Sequence, residues 1–165
     1  MRAYNRIELE KVARETGFIR DNLEKVIRLS NILEFLVSDD SLKGKVVLKG
    51  GTAINLTVFD MPRLSVDIDL DYCCNSDKDT MMADRAVIGQ EILGHMQSNG
   101  YTIHPSSKNT HALDSWVFSY LNAGGNKDNI KIEINYMMRT HILEPRTRKT
   151  SITFIEEVDV YALAP

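Results

Sequence analysis

The spacing of apolar residues changes several times along the chain, and each change predicts an element. From Ile7 to Glu15 the pattern is helical, and Thr16-Gly17 supplies a stop. A second helix is predicted from about Asp21, its N-cap candidate, to Val37. Leu23, Val26, Ile27, Leu33 and Leu36 share one side there, while Arg20, Glu24, Lys25, Arg28 and Glu34 lie outside. These helices are expected to cover a sheet. Asp39-Asp40-Ser41 closes the segment, and Lys43-Gly44-Lys45 leads into a short apolar strand at Val46. After Asn75-Ser76-Asp77, a turn and cap, a helix is predicted to about Ser98 with Met81, Met82, Val87, Ile88, Ile92, Leu93 and Met96 on its apolar side. Strands are predicted for Tyr101 to His104, Leu113 to Leu121 and Ile130 to Met138, with Asn122 to Asn129 as a hairpin turn between the last two. Ser151 to Phe154 and Val158 to Leu163 read as extended.

The stretch that orders the rest is Val46 to Asp71. It reads as a strand, a Lys49-Gly50-Gly51-Thr52 turn, a brief helix, a loop through Pro62 and a second strand. In that second strand Val66, Ile68 and Leu70 alternate with Asp67, Asp69 and Asp71, so apolar side chains take one face and three carboxylates the other. Like charges on one face repel, and aspartate is depleted in strands, so the arrangement is costly unless something neutralises it. Asp67 and Asp69 are roughly 6.5–7 Å apart along the strand, close enough for both to lean onto a pair of Mg²⁺ ions of the kind used in nucleotidyl transfer. A solvated acidic face on an edge strand would have the same pattern.

The turn upstream adds to the picture. Gly50 and Gly51 remove Cβ atoms where a strand enters a helix, so backbone can approach a ligand closely and the first helical N–H groups are left to bind phosphate. Thr52 offers a hydroxyl donor. Further on, Ile130, Ile132, Ile134 and Tyr136 point to one face of their strand, and Lys131, Glu133 and Asn135 to the other. Glu133 is thereby a candidate third carboxylate. Trp116, Phe118 and Tyr120 form an aromatic row, read as core in preference to a base-stacking platform.

Gly-Gly-Thr, a short helix and then Arg63-x-Ser65-x-Asp67-x-Asp69 followed by an apolar residue resembles the signature of the DNA polymerase β-like nucleotidyltransferase superfamily. More narrowly it resembles the nucleotidyltransferase toxins of the AbiEii/AbiGii type. Lys131-Ile132-Glu133-Ile134 is similar to the pattern around that superfamily's third acid. The resemblance implies an α/β (α+β) nucleotidyltransferase-like fold, a mixed β-sheet flanked by helices. Helices in residues 1–40 would precede a catalytic-type core in 41–165 of one domain. It implies that Asp67, Asp69 and Glu133 are catalytic and hold Mg²⁺. Gly50, Gly51 and Thr52 would receive the triphosphate of an NTP, with Lys49, Arg63, Ser65 and Lys131 contacting phosphate or orienting the carboxylates. The implied reaction moves NMP to a hydroxyl of RNA, tRNA included, or of protein, in the toxin of a toxin–antitoxin or abortive-infection system with a cognate antitoxin. The resembled toxins continue into a helical part with another Lys and an Arg-Asp motif; these 165 residues lack it, so the expectation is either the N-terminal portion of a longer protein or a short relative that has lost part of the site. A non-catalytic nucleotide- or antitoxin-binding module is the alternative. A sugar-nucleotide glycosyltransferase with an Asp-x-Asp motif is a further competitor, disfavoured by the Gly-Gly-Thr turn and the third acid.

Composition narrows this little. A chain of 165 residues is long enough for one domain with a proper core. Its net charge of −3 gives no global basic field, so a nucleic-acid contact has to rest on a local patch. Arg139, His141, Arg146, Arg148 and Lys149 gather around Pro145, a run that reads as a solvated loop or as phosphate contacts. No apolar run suits a membrane span or a secretory signal, so the expectation is a cytoplasmic protein without membrane partners. Cys73 and Cys74 are adjacent, which suits reduced thiols. His95, His104, His111 and His141 show no zinc-ligand spacing.

Overall fold

A computed structural model describes residues 5–51, 53, 67–137, 144–150 and 158–163. Helix α1 spans Arg6–Thr16 and α2 spans Arg20–Ser38. Asn5 caps α1 reciprocally: its side chain accepts the Glu8 N–H at 2.9 Å, and Glu8 accepts the Asn5 N–H at 3.2 Å. Gly17 ends the helix in the left-handed conformation, φ 76°, where a side chain would be strained. α2 starts earlier than its sequence suggests. Ile19 is its N-cap without a side-chain bond, and Asp21 sits in the first turn, paired with Arg20 at 2.7 Å. Negative charge is favourable there for the same reason it is favourable at a cap.

Helix α3, Lys78–Ser98, is capped by Asp77, which accepts the Thr80 N–H at 2.7 Å. Its buried side is Met81, Ile88, Ile92 and Met96. At about 100° per residue these four fall within one narrow sector. Met82 and Val87 fall outside it and are 47% and 40% exposed, which corrects the broader apolar face read from the sequence.

The strands are β1 (Val46–Lys49), β2 (Asp67–Tyr72), β3 (Thr102–Ile103), β4 (Lys108–Asn109), β5 (Leu113–Leu121), β6 (Lys127–Asn135), β7 (Arg146–Lys149) and β8 (Asp159–Ala162). They form one mixed sheet in the order β3-β5-β6-β2-β1-β8-β7, with β4 also on β5. β2 runs parallel to β6 and β1 parallel to β8; β1–β2, β5–β6 and β7–β8 are antiparallel. β6 begins and ends three residues before the predicted Ile130 to Met138. The β5–β6 loop is correspondingly shorter, with the Asn122 side chain accepting the N–H groups of Gly124 and Asn126 at 2.9 Å each. Arg146, Arg148 and Lys149 belong to an edge strand, not to a loop. The extended segment expected at Ser151 to Phe154 lies outside the described residues, as do Arg139 and His141.

One face of the sheet is apolar and continuous. Register aligns Leu48 with Leu70, Leu70 with Ile134, Ile68 with Ile132 and Ile132 with Trp116, and all are buried together with residues of α2 and α3. Trp116, Phe118 and Tyr120 are in this core, as expected. α1 does not share in it; Leu9 packs on Leu23 and Ile27 of α2 in a separate small cluster. α2 is fixed to the sheet side by partly buried polar links as well. Glu24 of α2 accepts the Ala123 N–H at 2.7 Å, Lys25 pairs with Asp128 at 2.9 Å, and the Arg28 guanidinium lies 4.2 Å over the Tyr120 ring. Cys73 and Cys74 are free thiols directed at the Gly44 carbonyl, 3.2 and 3.8 Å away, and burial pushes the Cys73 thiol up to about 11.

Arg85 ties α3 to β5. Its guanidinium holds both carboxylate oxygens of Asp114, whose side chain is 4% exposed, and donates to the carbonyls of Thr110 and His111. Removing one partner of such a pair leaves a buried charge unpaired. Arg85→Ala is therefore expected to lower unfolding free energy by about 3 kcal/mol. Urea denaturation measures this, and a loss below about 1 kcal/mol would place the bridge among weak surface pairs.

Candidate active site

The face of the sheet opposite the helices carries the acids, and strand register decides which of them meet. Asp67 lies beside Lys131 and Asp69 beside Glu133 across the parallel β2–β6 pair. Lys49 of β1 flanks Asp69 from the other side, and Ser115 of β5 is aligned with Glu133. Paired residues on adjacent strands share a face and stand about 5 Å apart. Two of the predicted carboxylates, from segments far apart in sequence, thus become lateral neighbours.

The three aspartates of β2 have different surroundings, although period-two alternation groups them. Asp67 and Asp69 are half-buried. Asp71 is 3% exposed and held in an ion pair by the Lys49 ammonium, 2.5 Å away. Lys49, expected to contact phosphate or to orient the carboxylates, is in this structure the counter-charge of Asp71. Lys131, with the same two expected roles, donates to Glu133 at 2.9 Å. Register also brings Ser115 beside Glu133, a residue that sequence reasoning misses. Its position on the polar side of β5 becomes a signal only once the hairpin is aligned with β6, and nothing local reveals it.

Gly50 has φ 72°, and a Cβ built there would lie 3.0 Å from Asp69 Oδ2. The absence of a side chain lets the turn from β1 into helical backbone at Gly50 and Gly51 close against the Asp69 carboxylate. Among the described residues nothing lies within 4 Å of a Cβ at Gly51. Thr52, Arg63 and Ser65 lie outside the described residues.

Electrostatics mark Asp69 as the acid under most strain. Burial raises its pKa first, and the charges of Glu133 and Asp67 add to the rise against partial relief from Lys49 and Lys131. At Glu133 burial also acts upward. Hydrogen bonds from Lys131 and Ser115, with the charges of Lys131 and Lys49, overcome it, and the carboxyl ends below its ordinary value. Lys131 is raised, chiefly by its hydrogen bond to Glu133, against burial and with help from the charges of Glu133, Asp67 and Asp69.

Among the described residues no three Asp, Glu, His or Cys side chains form a group that could hold a metal ion. The donor types and placement nevertheless fit a hard divalent cation: carboxylate oxygens on two adjacent strands, with residual repulsion at Asp69. A cavity of about 660 Å³ lies away from these acids, lined by residues including Val37, Lys43, Lys149, Asp159 and Tyr161. It contributes nothing to the carboxylate face.

Gly50→Ala tests the close approach at the turn. It places a side chain in the left-handed region and against Asp69, at an expected cost of about 1–2 kcal/mol in stability. Urea denaturation reads the strain. An unchanged midpoint would show that the turn yields to a Cβ.

A comparison with curated proteins returned no match. A protein-family comparison matched residues 32–164, which run from within α2 through all eight strands, to "Nucleotidyl transferase AbiEii toxin, Type IV TA system". The mixed sheet flanked by helices agrees with the fold that the sequence resemblance implied. The match spans well over half of the chain and contains the Gly50-Gly51 turn, Asp67, Asp69 and Glu133, so the chain belongs to the AbiEii nucleotidyl transferase toxin family of type IV toxin–antitoxin systems.

Proposed function

We propose that this protein is a Mg²⁺-dependent nucleotidyltransferase that moves NMP from an NTP to a hydroxyl of RNA, tRNA included, or of protein. It would act in the cytoplasm as the toxin opposed by a cognate antitoxin. The observation that carries the reading is the β2–β6 register, which sets Glu133 beside Asp69, the acid against which the glycine turn closes. Among the described residues no helix is long and apolar enough to cross a membrane.

Asp67, Asp69 and Glu133 would hold Mg²⁺, which when bound supplies charge neutralisation of the triphosphate and a lower pKa for the acceptor hydroxyl. The N–H groups at Gly50 and Gly51 face the phosphates where the helical backbone begins. Glu133 accepts the proton of the attacking hydroxyl. The acceptor oxygen forms a bond to the α-phosphorus as the bond between the α-phosphorus and its bridging oxygen breaks, and pyrophosphate leaves. Ser115 positions Glu133, and Lys131 supplies positive charge beside the acids. Lys49, fixed by Asp71, places positive charge beside Asp69. Thr52, Arg63 and Ser65 are proposed from the sequence to complete the nucleotide site. A second reading, a module that binds nucleotide or antitoxin without turnover, is favoured by the bonding of Glu133 to Lys131.

Calorimetric titration of each NTP with Mg²⁺ tests the proposal. Asp67→Asn should weaken Mg²⁺–NTP binding by roughly 100-fold or more, since even groups that only support a metal ligand are worth 10–100-fold. Equal affinity in a folded variant would remove Asp67 from the site, and binding without NMP transfer to any acceptor would favour the module.

Asp69→Asn separates function from stability. Folding raises the Asp69 pKa, so the charged form costs stability at neutral pH, and the cost is relieved as pH falls through that raised value. In metal-free buffer the variant should melt above the native protein at pH 7, with the difference shrinking on acidification. A lower melting point at pH 7 would contradict the strain assigned to this acid.

If RNA is the acceptor, neutralising Arg146, Arg148 and Lys149 on edge strand β7 should weaken its binding and flatten the salt dependence. The slope should fall by about 0.7–0.9 for each phosphate that the strand no longer neutralises. An unchanged slope would exclude β7 from the RNA path.

A further inference from the structure

Lys131 stands where the acidic face needs a cation. It is aligned with Asp67 in the β2–β6 register, and its ammonium is 2.9 Å from Glu133 Oε2. Lys49, which flanks Asp69 from β1, is paired with Asp71. The two pairs differ in how easily they separate. The Asp71 side chain is 4% exposed, so parting it from Lys49 would leave a buried charge unpaired. Glu133 is 27% exposed and Lys131 36%, and lysine carries its charge on a flexible four-carbon stem that can turn to another anion at little cost.

We infer that Lys131 is a resident counter-cation of the site, bonded to Glu133 in the absence of metal and exchanged for a divalent cation when the site is loaded, leaving its ammonium to the nucleotide triphosphate. The inference rests on the transferase reading of the same carboxylates. An ammonium group and a hard divalent cation compete for the same oxygens of Glu133, so the present hydrogen bond opposes metal binding. The bond also moderates carboxylate repulsion while the site is empty. Because a triphosphate offers the displaced ammonium an anionic partner, nucleotide should tighten cation binding, and the cation should tighten nucleotide binding by the same factor. A lysine that served only to orient Glu133 would have the opposite effect on metal affinity, because its loss would weaken binding.

Mn²⁺ titration of the full chain without nucleotide, followed by electron paramagnetic resonance, distinguishes these roles. Native protein is compared with Lys131→Met, Lys131→Arg and Asp69→Asn, and circular dichroism verifies folding. Lys131→Gln is a second neutral variant should Lys131→Met not fold. The neutral variant is expected to bind Mn²⁺ at least about threefold more tightly than the native chain, matching the loss of one partly exposed ion pair. Lys131→Arg, which keeps the charge, should stay within about twofold. Equal or weaker binding by the neutral variant, together with binding that Asp69→Asn abolishes, would overturn the counter-cation role and leave the transferase reading standing. Mn²⁺ binding insensitive to Asp69→Asn, or absent from every variant, would overturn both.

Discussion

Repulsion among carboxylates gathered on one sheet face is the constraint around which the described site is built. Asp67, Asp69 and Asp71 come from one strand and Glu133 from its parallel neighbour, and they stay together because Lys49 and Lys131 interleave with them. The compensation is uneven. Asp71 is buried under Lys49, Glu133 is stabilised in its charged form by Lys131 and Ser115, and Asp69 remains unfavourably charged. The opposite face explains how the fold tolerates this. Leu48, Ile68, Leu70, Ile132 and Ile134 make a continuous apolar layer under α2 and α3, and its burial supports the strained positions on the other side.

Much of this is legible in the sequence, because alternation with period two is a strong signal. The faces of β2 and β6 follow directly from Ile68 and Leu70, and from Ile130, Ile132 and Ile134. The glycine turn is legible through Gly50 and Gly51, and the toxin resemblance follows from that turn together with Arg63, Ser65, Asp67, Asp69 and Lys131 to Ile134. What cannot be read is whatever depends on which strands pair. Alternation places Asp71 with Asp67 and Asp69, but only the β1–β2 register brings Lys49 to it and makes it a structural acid. Ser115 becomes relevant only through its alignment with Glu133. The basic stretch at Arg146 to Lys149 reads as a loop for a related reason: a four-residue edge strand has little internal pattern and is defined by its partner β8.

α3 and β6 show a milder failure. Counting apolar residues overstates the buried side of α3, since Met82 and Val87 are apolar but lie outside the sector defined by Met81, Ile88, Ile92 and Met96. At β6 the apolar alternation locates the central residues, while its ends are decided by hairpin chemistry. The Asn122 side chain closes the loop early, which lets pairing begin at Lys127 opposite Leu121.

Parallel pairing of β2 with β6 has a consequence for when the chain acquires its chemistry. Asp69 and Glu133 meet only after a long intervening stretch, containing α3 and the β5–β6 hairpin, has been made and folded back. Contacts of such separation carry the loop-closure entropy of everything between them and form late relative to local helices and turns. A ribosome-bound chain that has not yet exposed Lys127 to Asn135 lacks one of the acids altogether. An acidic cluster assembled this way is withheld from the nascent polypeptide by topology alone.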